Sequence, residues 1–319
     1  MKTNRVHSTF GNGSCSKAMK QIDHGDLLAT PGTDIHLANF DPGLTCDFKN
    51  KTAARNKLRA DIERLAELQD LFYADGGRAL LIIFQGMDAA GKDGAIKHVM
   101  SGVNPQGVHV YSFKAPSTEE LAHDYLWRAS KVLPERGRIG IFNRSYYEEV
   151  GVVRVHPELL ENERLRSAAT GAEFWKDRFD DIVAFERHLI RNGTLILKFF
   201  LNVSIEEQRR RLLDRIDTPE KNWKISVADV RERAFWNSYQ HAYDKMLTHT
   251  STDSAPWYVI PADRKWFTRA AVADVIVGRL EELRLTYPQV GDEQRALLTA
   301  ERERLADPDG PAESRFEAR

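Results

Sequence analysis

A short stretch in the first third of the chain has the residue types and spacing of a phosphate-binding loop. In "GMDAAGKDG", residues 86–94, Gly86, Gly91 and Lys92 match the pattern G-x-x-x-x-G-K. Glycines let successive backbone N–H groups turn toward an anion, and the lysine adds a full positive charge. The alternative is a tight turn that holds a lysine by chance. The pattern predicts phosphate contacts from Gly86, Ala89, Ala90, Gly91, Lys92, Asp93 and Gly94.

Two acidic residues make this loop unusual. Asp93 follows the lysine, where such loops normally place the Ser or Thr hydroxyl that binds Mg²⁺. Asp88 puts a carboxylate inside the loop, and that charge would repel a phosphate unless a cation lay between them. Carboxylate and water are the ligands that Mg²⁺ prefers. Asp88 is therefore a candidate metal ligand or base; the alternative is a helix N-cap, a position that favours Asp.

A second polar group follows the apolar run "RIGIF", residues 138–142. Asn143 stands where a nucleotide hydrolase usually places a metal-binding aspartate, and Arg144 is next. The planar fork of an arginine suits phosphoryl oxygens, and a fixed cation near the transferred group stabilises the transition state. The alternative for Arg144 is a structural ion pair. Glu148 and Glu149 come next, and we expect one of them to face a second substrate.

A basic segment lies between residues 206 and 226, after the fourth long apolar run. In nucleotide kinases a basic segment at this position forms a lid that closes over phosphates and excludes water. The alternative is a solvated helix face, the usual explanation of a run of charges. We call this range the lid segment. Its cations are Arg209, Arg210, Arg211, Arg215, Lys221 and Lys224.

The elements between these residues alternate between strand and helix. "AARNKLRADIERLAELQDLFY", residues 53–73, has apolar residues at three- and four-residue spacing, which predicts an amphipathic helix. Short apolar runs predict strands buried on both faces. Together they indicate an α/β fold: a doubly wound parallel sheet of the P-loop nucleotide hydrolase type, with helices on both faces and ligands at the carboxyl ends of the strands. The predicted strands are 79–84, 108–113, 138–142, 194–203 and 257–260.

The composition is that of a globular protein with its charge balanced. The chain has 319 residues, with 46 basic and 47 acidic side chains, so its overall charge does not call for a nucleic acid or an anionic membrane. Two cysteines without CxxC spacing, no signal-like segment and no apolar run of ~20 residues favour the cytoplasm. We expect a loosely ordered segment at 1–40, a P-loop domain at 41–290 and a polar helix or tail at 291–319.

Four separated motifs resemble the family-2 polyphosphate kinases. They are "GMDAAGKDGAIKHVMSGVNPQGVHVYSFKAP", "FNRSYYEEVGVVRVHPE", "LLDRIDTPEKNWKIS" and "APWYVIPADRKWF", and the similarity runs from about residue 40 to 287. The resemblance implies a fold similar to thymidylate kinase, a P-loop core with a helical lid. It also implies phosphoryl transfer between inorganic polyphosphate and adenine or guanine nucleotides, a requirement for Mg²⁺ or Mn²⁺, and a homo-oligomer, either a dimer or a tetramer.

Carried over residue by residue, the resemblance implies catalytic roles for Asp88, Lys92, Arg144 and Arg215. Many relatives have Asp-Arg-Ser where this chain has Asn143-Arg144-Ser145, and a neutral amide binds Mg²⁺ more weakly than a carboxylate. The sequence "NRSYYEE" with Glu148 resembles the subgroup that phosphorylates both AMP and ADP. Relatives restricted to diphosphates tend to have a neutral residue at that position.

A polyphosphate donor also accounts for the missing hydroxyl in the loop, because Asp88 could bind the metal in its place. Such a donor needs a basic track that leads away from the loop. The candidates are Lys97, Lys114, Arg128 and Lys131, each of which could also be solvated surface. Two rival functions stay open: a nucleoside monophosphate kinase that uses ATP, against which Asp93 counts, and a non-catalytic protein that binds polyphosphate.

Overall fold

A computed structural model describes residues 22–46, 48–163, 165 and 171–306. Its centre is a six-stranded sheet in the order β1-β6-β5-β2-β4-β3. The strands are β1 Leu28–Ala29, β2 Ala79–Gln85, β3 Val108–Ser112, β4 Ile139–Asn143, β5 Thr194–Asn202 and β6 Trp257–Pro261. The helices are α1 Lys51–Asp75, α2 Lys92–Val99, α3 Trp127–Ser130, α4 Val152–Val155, α5 Ala172–Arg191, α6 Ile205–Asp217, α7 Val227–Arg231, α8 Trp236–Thr250, α9 Lys265–Glu281 and α10 Asp292–Ala306.

Strands β2 to β6 run parallel, and β2 lies between β4 and β5. Every residue of β2 is buried, as expected for a continuous apolar run covered on both faces. The helices pack in two groups, α1 with α2 and α9, and α4 with α5 and α8. The predicted doubly wound α/β fold is therefore confirmed, and the five predicted strands agree with β2 to β6 within one residue at each end.

The first long helix shows how local signals fix an element. The prediction for residues 53–73 corresponds to α1, Lys51–Asp75. The side chain of Asn50 caps its start by accepting a hydrogen bond from the backbone N–H of Ala53. Gly76, with φ of +59°, ends the helix in the left-handed conformation that glycine adopts without strain.

The N-terminal expectation is wrong for residues 22–40, which pack onto the sheet. Strand β1 pairs antiparallel with β6, and both Leu27, just before it, and Ala29, within it, are fully buried. The side chain of Asn202 donates a hydrogen bond to the carbonyl of Phe40 at 2.8 Å. These residues lack the helical or alternating pattern of a long element, so no sequence pattern indicated their packing. Residues 1–21 lie outside the described residues.

At the other end, α10 is a helix in which every residue is exposed, in keeping with its polar sequence. Residues 307–319 of the predicted tail lie outside the described residues. Within the described ranges, none of the helices combines the length and the apolar character that crossing a membrane requires.

Candidate phosphate-transfer site

The loop between β2 and α2 is shaped by a close approach of two backbones. Gly86 follows β2 with φ of +139°, and a Cβ atom built on it would lie 2.7 Å from the carbonyl oxygen of Leu201 in β5. Only glycine fits this position. Gly91 caps the start of α2 with φ of +110°, so the chain turns directly into the helix that begins at Lys92. The predicted strand, loop and helix are all present.

Side chains of α6 bind the backbone carbonyls of the loop. Arg211 donates hydrogen bonds from Nη1 to the carbonyl oxygens of Ala89 and Ala90, at 2.9 and 2.7 Å. Gln208 donates to the carbonyl of Asp88 at 3.0 Å. Arg211, one of the cations of the lid segment, is therefore only 3% exposed and holds the loop. Carbonyl oxygens held by α6 do not repel an anion on the opposite side of the loop.

Lys92 is buried and lies inside the curve of the loop. Its Nζ donates to the carbonyls of Gly86 and Met87, at 2.6 and 3.2 Å. Burial, helped by the positive charge of Arg144, lowers the pKa of Lys92 to about 8. A cation with its charge destabilised in this way gains strongly from an anionic neighbour, which is what a phosphate would supply.

Asp88, Arg144 and Glu148 form one ionic cluster. Arg144 Nη2 pairs with Asp88 Oδ1, and its Nη1 lies 3.4 Å from Glu148 Oε2. Although burial opposes the charge of Arg144, Glu148 and Asp88 raise its pKa above the ordinary value. The N-cap of α2 is Gly91, so the capping alternative for Asp88 is wrong. Arg144 adopts a left-handed φ of +63°, an uncommon conformation for a residue with a side chain and one that clusters at functional sites.

Asp93 and Asn143, the two departures from the common pattern, contact each other. The amide of Asn143, at the end of β4, donates to Asp93 Oδ1 at 2.5 Å. The carboxylate in this pair therefore comes from the helix and the neutral partner from the strand. Both residues lie beside Lys92 in the same cavity.

This cavity, of about 710 Å³, opens at the carboxyl ends of the strands. Five predicted residues are not among its lining in the described chain: Gly86, Lys97, Arg128, Lys131 and Glu148. Lys97 is exposed on α2, and Arg128 is buried, donating to the carbonyl of Lys114 at 2.8 Å. Glu148 contacts Arg144, which does line the cavity. The predicted residues that do line it are Asp88, Ala89, Ala90, Gly91, Lys92, Asp93, Gly94, Lys114, Asn143, Arg144, Arg215 and Lys224.

The lid segment borders the cavity, and its cations have unequal environments. Arg215 lines the cavity and donates to the carbonyl of Lys224 at 3.0 Å, whereas Arg210 pairs with Glu207 and its side chain is 64% exposed. Arg209 is also exposed. A solvated helix face therefore describes Arg209 and Arg210. It does not describe Arg211 and Arg215.

Helix α9 contributes residues to the site that were not predicted from the sequence. Lys265, Thr268 and Arg269, on its first two turns, line the cavity opposite β4. Asp229 of α7 was also not assigned to the site and lines it, and so does Lys221, which was named only as a cation of the lid segment. The available signal was the position of "ADRKWF" directly after the last parallel strand, since ligands collect at the carboxyl ends of such strands.

A parallel sheet with a glycine-rich loop after its central strand, a buried loop lysine and a basic cavity defines a phosphoryl-transfer protein of the P-loop kinase type. Comparison with known proteins gives the family. Residues 48–287 match the family model of polyphosphate kinase 2, and the chain belongs to that family.

Individual relatives agree with this assignment. The chain is 49% identical over 275 residues to an ADP-polyphosphate phosphotransferase of Rhodopseudomonas palustris, covering 86% of this chain and 95% of the relative. It is 45% identical over 260 residues to an AMP/ADP-polyphosphate phosphotransferase of Meiothermus ruber, covering 81% and 93%. The crystal structure of polyphosphate kinase 2 from Arthrobacter aurescens TC1 superposes with a TM-score of 0.78 at 39% identity, covering 88% and 98%.

Proposed function

We propose that this protein transfers phosphoryl groups reversibly between inorganic polyphosphate and adenine or guanine nucleotides, and that it makes ADP from AMP and ATP from ADP. The observation that supports this most strongly is the arrangement of Asp88, Lys92, Arg144 and Arg215 around one cavity at the phosphate loop. In a family of polyphosphate kinases, three cations and a carboxylate at this position suit a reaction between two polyanions.

The proposed mechanism is direct in-line transfer. Lys92, Arg144 and Arg215 neutralise charge on the terminal phosphates of donor and acceptor, and Asp88 orients the attacking phosphate oxygen. That oxygen is already anionic near neutral pH, so no strong general base is required. The ionic bonds of Arg144 to Asp88 and Glu148 fix its guanidinium before substrate arrives, which reduces the reorganisation needed during transfer.

We also propose that Mg²⁺ or Mn²⁺ takes part, held by Asp88 and by Asp93. Within the described ranges no three His, Cys, Asp or Glu side chains converge on one point, so a cage built of protein ligands alone is absent there. Two carboxylates beside a phosphate-binding loop fit the usual mode of Mg²⁺, which binds one or two carboxylates together with substrate phosphates. When bound, such a metal offsets phosphate charge during transfer.

One assay separates the proposal from its two rivals. Purified protein is given AMP or ADP and Mg²⁺, with either polyphosphate or ATP as the single donor. We expect ADP and then ATP to accumulate from polyphosphate and AMP. Product only with ATP as donor would identify a nucleoside monophosphate kinase, and binding of polyphosphate without turnover would identify a binding protein.

The use of AMP leads to a prediction for Glu148. Its carboxylate pairs with Arg144 and orders that side chain. Burial raises the pKa of Tyr243 in α8, and the charge of the nearby Glu148 raises it further. Glu148→Asn should lower kcat/KM for AMP more than for ADP, by roughly tenfold for one lost charge-assisted contact. Steady-state kinetics with each acceptor at saturating polyphosphate measures this. Equal losses would show that Glu148 does not distinguish the acceptors.

We further propose a cytoplasmic homo-oligomer, in agreement with the family resemblance. Several apolar side chains of the lid segment and α7 are exposed, including Ile216, Val227 and Val230 at 49, 68 and 45%. Light scattering on the 36.4 kDa chain should give the mass of a dimer or a tetramer.

A further inference from the structure

The strand order divides the cavity into two sides. The phosphate loop follows the central strand β2, with β4 and β3 on one side and β5 and β6 on the other. Asn143 ends β4, and Phe113 and Lys114 follow β3, so all three lie on the first side. Helix α9 follows β6 and packs against α2, which brings its first two turns to the second side.

Two cations of α9 line this second side without a partner of their own. Lys265 and Arg269 are one helical turn apart and therefore share a face. Within the described residues, neither side chain makes a hydrogen bond or an ion pair. The hydroxyl of Thr268, between them, donates to the carbonyl of Pro261 at 2.8 Å. Arg269 lies against the phosphate loop helix: a methyl group built on Gly94 would be 3.7 Å from its Nη2.

Positive charge accumulates around these two residues. Burial, together with Arg211 and Arg210, lowers the pKa of Lys265, and burial with Arg55 of α1 lowers the pKa of Arg269. The nearby carboxylates are engaged elsewhere, Glu207 with Arg210 and Arg211, and Asp214 with Lys221. A row of cations that repel one another attracts a polyanion.

The chemistry of this side suits a phosphate chain better than a nucleoside. A nucleotide base needs an apolar or aromatic surface on which to pack. Among the described residues, Phe113 is the single aromatic residue that lines the cavity, and it lies on the side of β3. The side of α9 offers cations, the hydroxyl-bearing Thr268 and the glycine backbone of α2.

We propose that the donor polyphosphate leaves the phosphate loop along α9, bound by Lys265 and Arg269, and continues to Arg55 on α1, the helix that packs against α9. The inference rests on the proposed function and adds the direction of the donor chain. It differs from the track predicted from sequence, because Lys97, Arg128 and Lys131 do not line the cavity and Lys114 lies on the opposite side. The acceptor nucleotide then occupies the side of β3 and β4.

The test compares Lys265→Gln, Arg269→Gln and Arg55→Gln with wild-type enzyme, using long-chain polyphosphate and tripolyphosphate as donors. Each of the first two variants should raise KM for long-chain polyphosphate by roughly tenfold, the size expected for one lost charge-assisted contact, with the KM for ADP unchanged. Arg55→Gln should affect long chains more than tripolyphosphate, because Arg55 lies outside the cavity lining. Lys265→Arg should keep the wild-type KM.

Arg187→Gln is the matched control, since Arg187 is an exposed arginine of α5 that does not line the cavity. Binding of polyphosphate without nucleotide, measured by calorimetry at several salt concentrations, adds a second measure: Lys265→Gln and Arg269→Gln should lower the dependence of affinity on salt. An unchanged polyphosphate KM in Lys265→Gln and Arg269→Gln, or an equal rise in Arg187→Gln, would overturn the inference. Polyphosphate would then still be the donor but would take another route. Failure of wild-type enzyme to use polyphosphate would instead reject the proposed function.

Discussion

At the scale of single residues, the contact between Asp93 and Asn143 explains two departures from the common loop pattern at once. A hydroxyl on the helix and a carboxylate on the strand are the usual pair. Here the carboxylate is on the helix and the neutral group on the strand, and the hydrogen bond between the two elements is kept at 2.5 Å. Taken singly, Asp93 and Asn143 each lack the usual metal-binding group. Taken together, they exchange the positions of the carboxylate and the neutral group.

A double-mutant cycle tests this exchange. Asn143→Asp places two carboxylates in contact, and the repulsion should lower kcat/KM at least tenfold. Adding Asp93→Ser restores one carboxylate and one hydroxyl, so the double variant should recover part of the loss. The measurement is kcat/KM at several Mg²⁺ concentrations for the two single variants and the double variant. Strictly additive losses would show that the two positions act independently.

Lys92 gives a prediction for pH. Its pKa of about 8 is below the ordinary value of 10.5, so the free enzyme loses this cation as the pH rises through about 8. Because only the charged form attracts phosphate, kcat/KM for polyphosphate should fall above that pH. A bound phosphate favours the charged form and raises the pKa, so kcat should fall at a higher pH than kcat/KM. A kcat/KM that stays level well above pH 8 would contradict this role for Lys92.

At the scale of elements, the sequence predicted the strands well because buried parallel strands are continuous apolar runs. Lys198 is the instructive exception, a charged residue in the middle of "TLILKFFLN" that is fully buried. Its Nζ donates to Glu186 Oε2 at 2.7 Å, to the carbonyl of Thr250 at 2.7 Å and to the hydroxyl of Tyr147 at 3.0 Å. Partners from α5, α8 and the turn after β4 become visible only when the chain is folded, so no local pattern predicts them.

The roles of the cations in the lid segment could not be predicted from the local sequence either. Its cations are adjacent in sequence, but helix geometry sends Arg211 under the phosphate loop, Arg215 to the cavity and Arg210 to solvent. A charge count cannot separate these three roles. The spacing along the helix could have done so if the position of α6 over the loop had been known.

The three arginines should therefore respond differently to substitution. Arg215→Ala should lower kcat by roughly 10²-fold if the cation acts mainly in the transition state, and Arg215→Lys should rescue only partly. Arg210→Ala should change activity little, since exposed ion pairs contribute little. Arg211→Ala should lower Tm as well as activity, because it leaves buried loop carbonyls without donors. Uniform mild losses at all three positions, with Tm unchanged, would favour a nonspecific basic surface.

At the scale of the whole molecule, the site is assembled by the topology and not by any one segment. Loops after β2, β4 and β6 meet because parallel strands end at the same edge of the sheet. The distance along the chain between Lys92 and Arg269 hides this meeting in the sequence. The packing of α1 against α9 has a further role, since these helices hold the three cations of the proposed donor track.

That packing contains a buried ionic cluster. Lys57 and Asp61 of α1 pair with each other, and Lys57 also pairs with Asp274 of α9. His24, from the segment expected to be loosely ordered, lies 2.8 Å from the second oxygen of Asp274. Asp61 Oδ2 is buried without a hydrogen-bond partner among the described residues. Burial raises the pKa of Asp61 from 3.8 to about 6, more than Lys57 can offset.

The raised pKa of Asp61 fixes the sign of a stability prediction. The folded protein binds a proton at this carboxyl more tightly than the unfolded chain, so Asp61 costs stability increasingly as the pH rises from 3.8 to about 6, and fully above it. Asp61→Asn removes that cost and leaves the pair of Lys57 with Asp274 intact. It should therefore raise Tm at pH 7.5, by about 2 °C per kcal/mol gained, and leave Tm unchanged near pH 4. Calorimetry at both pH values measures this, with Asp70→Asn on the exposed face of α1 as the matched control. The same change in Tm at both pH values would show that the buried charge of Asp61 does not destabilise the folded protein.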